Sequence, residues 1–228
     1  MKKTFKPAFV ATIPVLTGYL VLGFGFGIVL YSAGYGIGLA FAMSLLIYAG
    51  SMQYVAIGLL SGGASLVTVA LTTLMVNARH LFYGISMLEP YKNVGRKKAY
   101  LIFALTDETY SLVCGGAPRI PAEEKGSYYL WISLLNQIYW IVGSLLGATV
   151  GALLPFNSEG IDFALTALFI TVFLEQWLTA KRHAPAIIGI AVSVGCLLLF
   201  GRESFLIPAM LVIALLLSLY KKEDEKHG

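Results

Sequence analysis

From Pro7 to Ala78 the chain carries no charged side chain, and then Arg79 and His80 interrupt sequence that stays apolar through Leu88. An uncharged run of that length exceeds any single buried helix and suits about three bilayer crossings of ~20 residues each. Arg79 is therefore expected below the membrane surface. Ionisable groups cost on the order of 2.5–3.5 kcal/mol there by insertion scales, so one that is kept marks a functional site by default.

The remainder of the chain fits the same solvent. Of 228 residues, 58% are hydrophobic and only 12% charged. Mean hydropathy is +0.80. Charge-free runs recur at Gly126–Ser158, Ala184–Gly201 and Ser204–Tyr220, and no soluble domain fits between them. The expectation is one integral membrane domain over 1–228. Lys2, Lys3 and Lys6 precede an apolar segment, as in a signal peptide. That segment is longer than a 7–15 residue signal core, carries Pro14 and leads into further spans, so it reads as a first membrane helix. Cys114 and Cys196 lie in or beside apolar segments without metal spacing and read as packing residues. The net charge of +4 is dispersed over loops and matches anionic headgroups rather than nucleic acid.

The fold class predicted is all-α, a membrane bundle with helices at about 8–31, 38–60, 66–88, 99–117, 128–153, 161–180, 184–201 and 204–220. The fourth holds Thr106, Asp107 and Glu108 at its middle. It reads as tilted, interrupted or re-entrant, lining a cavity where irregular backbone is tolerated. Seven or eight crossings follow. Lys/Arg bias favours a cytoplasmic N-terminus. With eight crossings, however, the basic loop at 92–98 falls outside.

Two stretches, 11–88 and 133–213, look alike. The first reads Gly23-Phe-Gly-Phe-Gly27, a turn near Gly34, then Phe41-Ala-Met-Ser and Gln53-Tyr54. The second reads Gly143-Ser-Leu-Leu-Gly147, a turn near Pro155, then Phe163-Ala-Leu-Thr and Gln176-Trp177. Three-helix repeats of this kind build transporters that bind substrate at the repeat interface, although apolar helices also resemble one another by chance. The glycines spaced four apart, Gly23/Gly27 and Gly143/Gly147/Gly151, read as faces for close helix approach.

The polar groups carry the chemistry. In Asn77-Ala78-Arg79-His80, a helix puts Asn77 and His80 on one face, while Arg79 stacks over Tyr83, four residues on. Arg79 either snorkels to a headgroup or pairs with a carboxylate, and its planar fork suits a carboxylate of substrate or protein. Asp107 and Glu108 diverge by about 100° on a helix, so one can face Arg79 while the other faces a cavity. They read either as capping residues or as a counter-ion plus a proton- or ammonium-binding group. Gly50, Ser51 and Gln53 lie where a helix loosens. Gln53 is either interhelical glue or part of a broken helix that holds a substrate's polar end. In the second half Glu175 and Gln176 take the comparable place, with Glu175 also able to pair with Lys181 or Arg182. Asn136 and Gln137 are polar and face inward. No nucleophile triad, zinc spacing, phosphate loop or dinucleotide pattern is present, so no cofactor, no metal and no enzymatic role are expected.

The run Tyr48-Ala-Gly-Ser-Met-Gln-Tyr54, then Asn77-Ala-Arg-His-Leu-Phe-Tyr-Gly84, then Thr106-Asp-Glu-Thr-Tyr110 resembles the AzlC family in order and spacing. These are the large subunits of bacterial branched-chain amino acid export permeases, and the likeness covers essentially the whole chain. Met52 and Tyr54 stand where the family commonly has serine and phenylalanine. The resemblance implies a multi-pass protein of the bacterial cytoplasmic (inner) membrane that exports valine, leucine and isoleucine, with methionine in some members. It also implies a small AzlD-type partner subunit. From the residues themselves, proton coupling through Asp107 or Glu108 is the expectation. The alternative readings are a transporter or channel for another small solute, an intramembrane enzyme using His80 with a carboxylate, and a subunit that only stabilises its partner.

Overall fold

The computed structural model describes residues 2–114, 117, 120–153, 170, 173–174, 177–178, 183–205, 208–209, 211–213, 215–217 and 220. Every regular element among them is a helix. The chain divides into two compact units, Met1–Leu165 and Thr166–Gly228, each described by itself. Among the described residues three helices are long and apolar enough to cross a membrane: Lys3–Ser32, Ala122–Leu153 and Ala184–Gly201.

The first unit is built on two long helices, α1 (Lys2–Ser32) and α8 (Ala122–Leu153). Their contact is made by the glycine stripes. A Cβ at Gly27 would lie 2.1 Å from the Ser144 carbonyl oxygen, and one at Gly147 only 1.9 Å from that of Phe24. No side chain fits at either position, so the two backbones touch, as the four-residue glycine spacing predicts. Along this seam Tyr19 and Phe26 of α1 pack their rings on Trp140 of α8, at centroid distances of 5.4 and 6.2 Å.

Between these two helices the chain runs as three interrupted pairs. The first is α2 (Ile37–Leu46) with α3 (Gly50–Ser61), and the second α4 (Leu66–Val76) with α5 (Arg79–Ser86). A 3₁₀ turn at Gly95–Lys97 then leads into the third, α6 (Lys98–Phe103) with α7 (Asp107–Val113). At 1.5 Å per residue the halves of the first two pairs are about 12–18 Å long, each roughly half of a ~30 Å hydrocarbon core. The sequence expectation of one continuous helix over 38–60, and of another over 66–88, is corrected by these breaks.

Each break has a local cause. At the first, Tyr48 adopts φ 45° and Ala49 is non-helical. A left-handed non-glycine residue costs about 1–2 kcal/mol and is kept because Tyr48 is buried in the core. The Leu45 carbonyl that the break releases accepts from the Gln137 amide at 3.1 Å. At the second, three i→i+3 bonds (Ala78 to Met75, His80 to Asn77, Leu81 to Ala78) tighten the backbone. Such a turn within a helix is a common mark of a functional hinge. At the third, Thr106 is extended and caps α7 by accepting from the Thr109 N–H at 3.3 Å.

In the second unit α9 (Ala184–Ser204) starts with Pro185 in its first turn and breaks at Gly201, whose φ of 72° only glycine adopts freely. That break falls where the sequence pattern separates 184–201 from 204–220. Of the comparable repeat segment 133–213, the turn near Pro155, the stretch Phe163-Ala-Leu-Thr and Gln176 lie outside the described residues, as does most of the helix expected over 161–180.

Candidate functional site

The three breaks meet at one side chain. Arg79, the first residue of α5, donates through Nη1 to Asp107 Oδ2 in an ion pair. Through Nη2 it donates to Ser51 Oγ at 3.0 Å. Ser51 lies in the first turn of α3, and Asp107 opens α7. Three helices therefore begin around one guanidinium. Helix starts carry positive partial charge and favour anions, so Asp107 gains from its position as well as from Arg79. The pair is neither sealed nor free, with 35% and 32% of the two side chains exposed. Of the two carboxylates that the sequence offers to Arg79, the one that faces it is Asp107. Its headgroup-snorkelling alternative is not what the structure holds.

Three buried polar atoms of the pair and of the residue that leads into it have no partner: Arg79 Nε, Asp107 Oδ1 and Asn77 Oδ1. Buried polar groups are nearly always bonded, so a cluster of orphans marks a place built for water or ligand. The orphans are one donor and two acceptors. Asn77 caps the end of α4, two residues before Arg79.

Glu108 diverges from Asp107, as helix geometry requires, and joins a separate hydroxyl ladder. Tyr19 of α1 donates to Glu108 Oε2 at 2.6 Å, and its oxygen lies 2.7 Å from Thr106 Oγ1. Thr106 in turn donates to Thr109 Oγ1 at 3.1 Å, which also accepts from Asn136 Nδ2 at 3.0 Å. The ladder spans α1, the α7 cap and α8.

The other sequence candidates are placed differently. Gln53 is fully buried, donates to Ser44 Oγ at 3.3 Å and accepts from Trp140 Nε1 at 2.9 Å, which is the interhelical arrangement. Gly50 opens α3 with its Cα against the Trp140 ring, where a Cβ would come within 3.0 Å. His80 bonds through Nδ1 to the Asn77 carbonyl at 3.1 Å and meets Tyr83 edge-on. Tyr83 itself stacks on Tyr110 of α7 at 4.4 Å, a second tie between α5 and α7. Gln137 accepts from the Tyr100 hydroxyl at 2.7 Å and holds the first break open, as described above. Glu175 and Gln176 lie outside the described residues.

Tyr19, Tyr48 and Thr109 are the residues that sequence reasoning missed. A tyrosine in an apolar helix looks like packing, and only Thr106 three residues before Thr109 offered a cap-like signal. Among the described residues no three His, Cys, Asp or Glu side chains gather as a metal site would need.

A family model described as "AzlC protein" matches residues 14–154, a span that contains α8 and every residue of this constellation. The Branched-chain amino acid transport protein AzlC of Bacillus subtilis (strain 168) is 45% identical over 223 residues, 97% of this chain and 87% of that protein. A membrane protein of Helicobacter pylori (strain ATCC 700392 / 26695) is 46% identical over 98% of this chain and 97% of its own length. The Inner membrane protein YgaZ of Escherichia coli (strain K12) is 26% identical over 92% of this chain and 85% of its own. No solved structure matches.

Proposed function

The chain belongs to the AzlC family, and on that premise we propose that it is a secondary transporter exporting branched-chain and similar apolar amino acids. It acts as the large subunit of a two-component permease in the bacterial cytoplasmic membrane, beside a small AzlD-type subunit. Its seven or eight crossings form one membrane domain, in which α2–α3 and α4–α5 each cross as a broken helix.

The observation that carries this reading is the convergence of three helix starts on the Arg79–Asp107 pair. An amino acid is a zwitterion and can insert into such a pair without changing the net charge of the site. Its carboxylate takes Arg79 and Ser51, a geometry that a guanidinium fork serves well. Its ammonium takes Asp107, whose Oδ1 lacks a partner, with Asn77 Oδ1 as a further acceptor. Pulling this partly open ion pair apart with nothing in exchange is costly, though by less than the about 3–5 kcal/mol of stranding one member of a fully buried pair. A zwitterion replaces both partners at once, so the breaks separate readily only when the site is filled. That condition is what alternating access needs.

The hydroxyl ladder supplies a route for coupling. An ionised Glu108 accepts from Tyr19. A protonated one donates to the Tyr19 oxygen and turns the Tyr19 hydrogen toward Thr106. The charge of Glu108 is thereby tied to the cap that starts α7 and aims Asp107.

The test is efflux from cells loaded with a valine-containing dipeptide, with the partner subunit present and other exporters removed. Deleting the gene is expected to trap valine inside. Unchanged export overturns the proposal.

A further inference from the structure

The hydroxyl ladder that starts at Glu108 has an unfinished end. Thr109, fully buried, accepts at Oγ1 from Thr106 and from Asn136, at 3.1 and 3.0 Å. A hydroxyl has two lone pairs and one hydrogen, so only the Thr109 hydrogen is left to give. The Tyr48 hydroxyl faces Thr109, Tyr19 and Glu108. Tyr48 is 3% exposed, yet its hydroxyl has no hydrogen-bond partner, and a buried hydroxyl without one is rare. Its ring is held against Phe103 of α6, at a centroid distance of 6.3 Å. Tyr48 is also the left-handed residue of the first break, in the approach to Ser51. An unused donor and an unused hydroxyl thus meet where the ladder reaches the break that positions Arg79's second partner.

We propose that Tyr48 is the far end of the ladder and a positioning residue for Ser51, accepting from Thr109 when Glu108 is protonated and donating to it when Glu108 is ionised. The inference rests on the reading of Glu108 as the coupling group and extends its reach to the first break. A protonated Glu108 donates to Tyr19, Tyr19 to Thr106 and Thr106 to Thr109. Both lone pairs of Thr109 are then filled, and its hydrogen goes to the Tyr48 oxygen. An ionised Glu108 draws the Tyr19 hydrogen back, and Thr106 turns its own toward the Tyr19 oxygen, 2.7 Å away. That frees a lone pair on Thr109, which takes the Tyr48 hydrogen. From Tyr19 to Tyr48 the hydroxyls only rotate, and no O–H bond breaks. Asp107 and Ser51 hold the two ends of the Arg79 fork, so one carboxyl acts on both. It reaches Asp107 through the Thr106 cap and Ser51 through Tyr48. Besides Tyr48, the titratable groups facing Glu108 are Asp107 on α7, Tyr19 on α1 and Tyr83 on α5, while Tyr100 of α6 faces Tyr48. Among them Asp107 is the other carboxyl, and Arg79 holds it.

The test is leucine export across a range of external pH by the full chain with its partner subunit, in the parent, Tyr48→Phe, Glu108→Gln and the double variant. Tyr48→Phe keeps the ring on Phe103 and removes only the hydroxyl. It is expected to lower export about threefold or more, the order of one net hydrogen bond, and to flatten the pH profile. In the Glu108→Gln chain the same change is expected to add nothing, because groups of one network are not additive. Should Tyr48→Phe fail to reach the membrane, Thr109→Val cuts the ladder one step earlier and is expected to flatten the profile, while Thr109→Ser keeps the hydroxyl and the parent's profile. A parent-like profile in Tyr48→Phe or in Thr109→Val overturns the inference, as does an equal fold loss with and without Glu108. A purely packing role for Tyr48 gives those results. If Glu108→Gln alone still flattens the profile, the coupling role of Glu108 stands without Tyr48. A parent-like profile in Glu108→Gln overturns both.

Discussion

Gln137 of α8 donates from its side-chain amide to the Leu45 carbonyl, at the point where α2 stops and Tyr48 turns into the left-handed region. The same side chain accepts from Tyr100, in the first turn of α6. One amide in a long, rigid helix thus props open the first break and anchors the helix that leads to the third.

Replacing Gln137 with leucine removes both bonds and is expected to cost about 2 kcal/mol, at ~1 kcal/mol for each. Thermal unfolding of the purified protein checks this, and a midpoint equal to the parent's would show that the break holds without the prop.

Arg79→Ala is expected to lower transport about thirtyfold or more, the range for truncating one member of a hydrogen-bonded charge pair. Its effect on stability should be smaller than the 3–5 kcal/mol of a fully buried pair, because about a third of each side chain is open. The double change Arg79→Ala with Asp107→Ala should recover stability and leave transport lost. Comparing the three proteins by unfolding and by efflux separates the two roles.

Gly147→Ala puts a methyl group where the Phe24 carbonyl already stands, and Gly38→Ala adds one where nothing lies within 4 Å. The first is expected to cost at least ~1–3 kcal/mol through forced separation of α1 and α8, and the second to be neutral. Yield of folded protein in the membrane and its melting temperature read the difference.

Much of this architecture was legible in the sequence, for a physical reason. Long apolar runs mark α1, α8 and α9, although α1 and α8 each begin six residues before the expected starts at 8 and 128, because their first turns are polar; the glycine spacing marks the α1–α8 seam because close approach admits no other residue. Arg79 called for a carboxylate, and Asp107 supplies it. The interruption at Asn77–Ala78 was not legible, since the hydropathy of 66–88 is continuous and a three-residue tightening leaves no periodic trace. Nor was Tyr19, whose hydroxyl reaches Glu108 across 89 positions of sequence. Contacts of that range depend on how helices cross, and no local pattern encodes it.

Tyr19→Phe removes one hydroxyl and breaks the link between Glu108 and the α7 cap, while the ring keeps its place on Trp140. Transport is expected to fall with little loss of stability, and its dependence on pH to flatten. Glu108→Gln, which cannot change charge, should flatten the same profile. Export measured across a range of external pH distinguishes these outcomes from a simple packing defect, which would scale the curve without changing its shape.

The most direct measurement is competition for labelled leucine, on the purified complex in liposomes, by two analogues that each keep one charge. One is 4-methylpentanoate, which lacks the ammonium, and the other is isoamylamine, which lacks the carboxylate. If the Arg79–Asp107 pair exchanges with a zwitterion, unlabelled leucine competes, neither analogue does, and Arg79→Gln abolishes leucine binding. Equal competition by either analogue, or undiminished leucine binding by Arg79→Gln, contradicts the account.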